Sequence, residues 1–157
     1  MLLSQEEKIQ WKQLLLDSCS ATLQTRIGVA ATAMQSAQES ANSEDKSSAG
    51  DKYETGRAMS QLDRDMNARQ LEEAKSALAL AEKINVTLLY DKVAKGAVAL
   101  CGDLVFFVGV GLGIKDVQGR EVIFLSPTAP LAMELLNKKK GDFIVFKGKK
   151  VLLTDVF

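Results

Sequence analysis

The sequence predicts an α+β protein: an antiparallel helical hairpin, or coiled coil, over residues 1–84, then a small antiparallel sheet with one helix over residues 85–157. Three observations carry this. From Ser4 to Lys83 there is no proline and there are only three glycines, Gly28, Gly50 and Gly56, in a stretch dominated by Ala, Gln, Glu, Lys and Leu. A polar cluster from Ser40 to Gly50 interrupts that stretch. After Leu88 the composition turns to β-branched and aromatic runs bounded by glycine.

The first helix opens at a capping box, Ser4 with Glu7, whose side chains suit two orphan amides of a first turn. Leu16, Cys19, Leu23, Ile27, Ala30, Met34, Ala37 and Ala41 then follow at steps of three and four. A stripe sustained over so many turns is the seam of a coiled coil, and a helix from Ser4 to about Glu39 extends ~50 Å. The cluster Ser40 to Gly50, rich in Ser with Asn42 and Gly50, is turn chemistry and places the hairpin tip at about residues 42–52. A second helix is expected from about Lys52 to Ile84, with Met59, Leu62, Met66, Ala74, Leu78 and Ala81 as its stripe. Neither stripe is buried by one helix alone, so the two are expected to pair.

Residues 84–95 read as a linker. Strands are expected at Ala97–Leu100, Leu104–Val108, Glu121–Leu125, Phe143–Phe146 and Val151–Leu153, with tight turns at Gln118-Gly119 and Lys147-Gly148. One short helix runs from Thr128 to about Asn137, with Pro130 in its first turn, where a missing amide costs nothing.

Composition narrows the function classes. The 157 residues carry 20 basic and 20 acidic side chains, so no global charge points to nucleic acid, and sequence-specific DNA binding is not expected. No apolar run approaches the ~20 residues of a membrane span, and the expected location is cytoplasmic. Cys19 and Cys101 stand in unlike contexts and read as buried thiols. Histidine is absent, which removes Ser-His-Asp, Cys-His and His-metal chemistry. The chain is therefore not expected to be an enzyme in its own right.

Residues 126–142 are the most specific stretch. Ser126-Pro127-Thr128-Ala129-Pro130-Leu131 opens it, Leu135-Leu136 lies in its helix, and Lys139-Lys140-Gly141-Asp142 closes it. Without a gap over 17 residues, it closely resembles the C-terminal domain signature of the Gre family of bacterial transcription factors. Gly96-Ala97, and the plan of hairpin followed by sheet, extend the resemblance.

The resemblance implies an FKBP-like C-terminal domain on the rim of the RNA polymerase secondary channel, with the coiled coil entering the channel. It makes Ser126, Pro127, Pro130, Lys138, Lys139, Lys140 and Asp142 docking candidates. In that family, acidic tip residues help to hold a Mg²⁺ that activates water to cut backtracked RNA. Here the tip candidates are Glu44, Asp45, Asp51, Tyr53 and Glu54, and a Mg²⁺ shared with polymerase would fall to Asp45, Asp51 and Glu54, next to the RNA 3′ end. The tip departs from the family pattern. With Tyr53 matched to the family tyrosine, the two metal-holding acid positions fall on Lys46 and Ala49. These carboxylates equally suit solvated helix ends.

Two function classes follow: an elongation factor that binds polymerase at the secondary channel and modulates elongation, with transcript cleavage left open, or a paralogue without cleavage activity that inhibits or regulates polymerase by occupying the channel. An FKBP-type prolyl isomerase fits least, because the single Trp11 sits on the coiled coil. Gly109-Val110-Gly111-Leu112-Gly113-Ile114 lacks the third glycine of a dinucleotide loop and reads as strand bends. Lys138, Lys139, Lys140, Lys147, Lys149 and Lys150 suit either an acidic or phosphate partner or a solvated edge that discourages strand pairing.

Overall fold

The computed structural model describes residues 2–44 and 50–157, and the side chains of all of these except 44 and 50–54. It is α+β, with a long helical hairpin followed by a small, mostly antiparallel sheet and one helix. Helix α1 spans Gln5–Glu44 and α2 spans Gly50–Glu82. The capping box forms at the start of α1: Ser4 N–H donates to Glu7 Oε2 at 2.7 Å and Glu7 N–H to Ser4 Oγ at 3.2 Å. By contacts the chain makes two compact units, one of residues 21–79 and one joining residues 1–20 to residues 80–157.

Within the hairpin unit, Leu23, Ala30 and Ala41 of α1 are buried as their spacing predicts. Helix α2 meets expectation at Ala74 and Ala81, which are buried, and differs from it in the first half. Met59, Leu62 and Met66 are 62%, 68% and 51% exposed, whereas Leu71 and Ala74 are buried. Counting back from Ala74 by sevens gives Asn67 and Ser60, which are half-buried, rather than Met66 and Met59. One residue is ~100° around a helix, so the inner stripe passes through Ser60, Arg64 and Asn67 and turns the methionines outward. Arg64 Nη1 donates to Gln38 Oε1 at 2.9 Å across the two helices.

In the other unit the strands are β1 (Val98–Cys101), β2 (Leu104–Val108), β3 (Gly113–Val117), β4 (Arg120–Leu125), β5 (Phe143–Phe146), β6 (Lys149–Leu152) and β7 (Asp155–Val156). Helix α3 is confined to Pro130–Leu135. A five-stranded sheet has the order β3-β4-β2-β1-β7, and β5 and β6 form a separate antiparallel ribbon. The sheet is not wholly antiparallel, because β2 pairs with β4 in parallel. The chain leaves β2, reverses at residues 109–112 and returns as β3 one position away, and β4 fills the gap. Gly109 N–H to Leu125 O at 2.8 Å and Leu112 N–H to Phe124 O at 3.2 Å fasten that crossing.

A Cβ on Gly109 would stand 2.9 Å from Ile84 Cδ1 and one on Gly111 3.4 Å from Ser126 Cβ, so close packing accounts for these two, whereas Gly113 has open space and a φ of 73°. The turns Gln118-Gly119 and Lys147-Gly148 hold both residues at positive φ (52° and 80°, 51° and 76°), the geometry of tight hairpins.

One face of the sheet, with Ala99, Cys101, Phe106, Val108, Ile123 and Leu125, packs on Ala132 and Leu135 of α3 and on Ile144 and Leu153. The opposite face, with Val98, Val105, Phe107, Val122 and Phe124, is buried too. The first turns of α1 belong to this unit. Lys8 pairs with Asp155 at 3.0 Å and lies 5.4 Å from the Phe157 ring, and the Arg120 guanidinium lies 5.4 Å from the Trp11 ring. Lys12, fully buried, donates from Nζ to Leu88 O at 2.6 Å and sits 4.6 Å from the Tyr90 ring. Residues 84–95 are thus fastened to the helix.

Candidate functional site

The stretch from Ser126 to Asp142 links the sheet to the ribbon as a turn, a helix and a second turn. Ser126 leaves β4 and organises the first turn: its Oγ lies 3.0 Å from Thr128 Oγ1 and its carbonyl accepts from Ala129 N–H at 3.0 Å. Ala129 is extended (φ −64°, ψ 144°), as a residue before proline must be, and Pro130 takes the first helical position. Helix α3 buries Ala132 and Leu135 and ends in two steps. Leu136 N–H donates to Ala132 O at 2.9 Å, and Asn137 turns left-handed at φ 66°.

The second turn is pinned from three sides. Asn137 N–H donates to Val93 O at 2.9 Å, and Val93 N–H donates to Lys138 O at 2.8 Å. Asp142 closes the turn on itself: its Oδ2 accepts from Lys139 N–H at 2.9 Å while its own N–H reaches Lys139 O at 3.0 Å. Gly141, at φ 95°, donates to Leu153 O at 2.9 Å. The Asp142 carboxylate therefore shapes the turn, and Gly141 supplies a conformation that L side chains rarely adopt.

Ser126, Pro127 and Lys138 are half-buried, while Pro130, Lys139 and Lys140 are exposed. These docking candidates gather at the two ends of α3, six residues long. Asp45 lies outside the described residues; Glu44, Asp51, Tyr53 and Glu54 fall on the helix ends with their side chains outside them. Among the described residues, no group of three or more Cys, Asp or Glu converges as a metal site. Nor is any of their helices long and apolar enough to cross a membrane.

From Met133 to Leu152 there are six lysines and two carboxylates, Glu134 and Asp142. Both carboxylates accept from backbone, Glu134 Oε1 from Val145 N–H at 3.0 Å and Asp142 as above. Among the described residues none of the six lysines lies within ion-pair distance of a carboxylate. The ribbon region is therefore a local basic surface in a chain of zero net charge.

No family model, curated protein or solved structure matches the chain. The site therefore rests on the residues themselves.

Reasoning from sequence missed the apolar side chains beside those lysines. Phe143, Val145 and Leu152 are 47%, 56% and 43% exposed. Phe143-Ile144-Val145-Phe146 is apolar at every position, so no alternation marks which face is bare. A shallow cleft of about 440 Å³, lined by Leu3, Glu7, Gln10, Trp11, Leu14 and Gln118, has Trp11 as its one aromatic side chain. The thiols are chemically quiet: burial pushes Cys19 up to about 12 and Cys101 up to about 11, and at neutral pH neither is a thiolate.

Proposed function

We propose that this chain binds RNA polymerase at its secondary channel, with the sheet unit docked through residues 126–142, and modulates elongation. The observation that carries this reading is that stretch. Its 17 residues resemble the Gre C-terminal signature without a gap, and Pro130, Gly141 and Asp142 each have a definite geometric use in an ordered turn–helix–turn. A helical hairpin in front of a small sheet with one helix is the plan that such a factor requires. In this reading the sheet unit is the FKBP-like domain of the family plan, and the active site belongs to polymerase.

The tip favours a second reading within the same class. Lys46 and Ala49 stand where the family's metal-holding acids are expected, which supports a regulator that occupies the channel without cutting RNA. A Mg²⁺ held jointly by polymerase and by Asp45, Asp51 or Glu54 belongs only to the cleaving form.

The test is RNA cleavage in a backtracked elongation complex, comparing wild type with Asp45→Ala, Asp51→Ala and Glu54→Ala. Cleavage lost in one or more variants supports the cleaving factor. Absence of cleavage, together with competition against an authentic cleavage factor, supports the regulator. A chain that neither binds nor competes refutes both.

A further inference from the structure

The first half of α2 has two ways of meeting α1, one residue apart. In the phase observed, Ser60, Arg64 and Asn67 lie in the seam, while Met59 and Met66 stand 62% and 51% exposed. Turned by one residue, ~100°, the same half would seat Met59, Asp63 and Met66 at those three places, with the same steps of four and three. Leu71 and Ala74 do not forbid this. They hold the second half of the helix, and one wide turn with an extra residue, a π-bulge between Asn67 and Leu71, lets the two halves differ in phase.

Apolar burial favours the turned phase, because two methionines would leave water in exchange for a serine and an asparagine. The middle place reverses that preference. Arg64 fills it with a long stem: Nη1 donates to Gln38 Oε1 on α1 at 2.9 Å, Nη2 to Asp65 Oδ1 at 3.1 Å, and the side chain stays 39% exposed. Its methylenes line the seam while its charge keeps water. Asp63 has a single methylene, and in that place its carboxylate would be drawn into the seam beside Gln38. From Gly28 to Glu44, α1 has no Lys or Arg to pair it. In the observed phase Asp63 is exposed, and its carbonyl accepts from Asn67 Nδ2 at 2.8 Å, which satisfies the asparagine within its own helix.

We propose that the adjacent residues Asp63 and Arg64 select the phase of α2: Arg64 holds the polar seam in place, and Asp63 bars the turned phase in which Met59 and Met66 are buried. Charge placement, rather than apolar packing, thus keeps this half of the hairpin in one orientation. The choice reaches beyond the seam, because the first half of α2 turns as one piece and carries the backbone of residues 51–54 with it. It holds whether or not the chain binds polymerase.

The experiment treats the full chain with dilute hydrogen peroxide and reads the oxidation rate of each methionine by peptide mass spectrometry. Met133, 64% exposed in the sheet unit, is the internal standard. In wild type, Met59 and Met66 should oxidise within about threefold of Met133. Asp63→Leu with Arg64→Asp exchanges which phase buries a carboxylate, and should slow both methionines at least about tenfold. Adding Ser60→Leu and Asn67→Leu to that pair refills the observed seam and should restore the wild-type rates. Circular dichroism melts report folding, and if the double variant is unfolded, Asp63→Leu alone decides, with an expected slowing of about threefold. Methionines 59 and 66 that stay as reactive as in wild type in a folded variant overturn the proposal. So do slow rates in wild type, and slow rates that persist after Ser60→Leu and Asn67→Leu.

Discussion

Lys12 shows how one side chain fastens a helix to a loop. It is fully buried, with no carboxylate within ion-pair distance among the described residues, and its ammonium is held by Leu88 O and the Tyr90 ring. Desolvation outweighs those contacts and lowers its pKa from 10.5 to about 8. Below pH 8 both folded and unfolded chains carry the proton, and the folded state bears the full cost of burying it. Between about 8 and 10.5 the unfolded chain keeps the proton and the folded one does not, so this residue's contribution to stability rises with pH. Denaturant titrations at pH 7, 9 and 10 should show wild type gaining on Lys12→Met, approaching roughly 3 kcal/mol in full. A gap between the two proteins that stays constant with pH would sink this account. Nothing in the sequence marked Lys12, because a lysine at a helical surface position looks the same whether water or a loop covers it.

At the scale of elements, helix α2 shows where periodicity fails. Met59, Leu62 and Met66 form an apolar stripe by spacing, yet Leu71 and Ala74 set a phase one residue away and the polar Ser60 and Asn67 lie within it. Apolar residues that slip by one position across eight are compatible with either face, and packing at the better-filled end decides. Leu71→Ala should therefore destabilise the hairpin by about 2–3 kcal/mol, whereas Leu62→Gln should change stability by about 0.5 kcal/mol or less. Calorimetry of both variants checks this; comparable losses would mean that Leu62 faces inward.

Strand existence was easier to read than strand pairing. Four of the five expected runs match β1, β2, β4 and β5 closely, and Val151–Leu153 overlaps β6. The strand β3 escaped because Gly113-Ile114-Lys115-Asp116-Val117 has no apolar run, its Ile114 being 57% exposed. The parallel β2–β4 ladder depends on which gap in the sheet a later strand fills, a property no local window contains.

For the molecule as a whole, hairpin followed by sheet was legible from composition, and the turn chemistry of residues 126–142 from its prolines, glycine and aspartate. The partition of the chain was not. A boundary at residue 84 follows composition, while contacts join residues 1–20 to residues 80–157. Lys8, Trp11 and Lys12 supply that unit with an ion pair, ring contacts and a buried hydrogen bond. A fragment of residues 85–157 should accordingly melt at least about 10 °C below a chain in which a Gly/Ser linker replaces residues 21–79. Equal melting points would show that the first turns of α1 contribute nothing to the sheet.

The same partition has a consequence in time. On the ribosome, the turns carrying Lys8 and Lys12 emerge before the hairpin, and the strands they pack on emerge after it. Residues 21–79 contact one another without waiting, whereas the flanking turns stay unpartnered until Leu88 and Tyr90, then Arg120, and last Asp155 and Phe157 arrive. Closing that separation is a slow, non-local step. In a pulse-labelling experiment, amides at 21–44 should gain protection before those at 5–20, although both lie on α1.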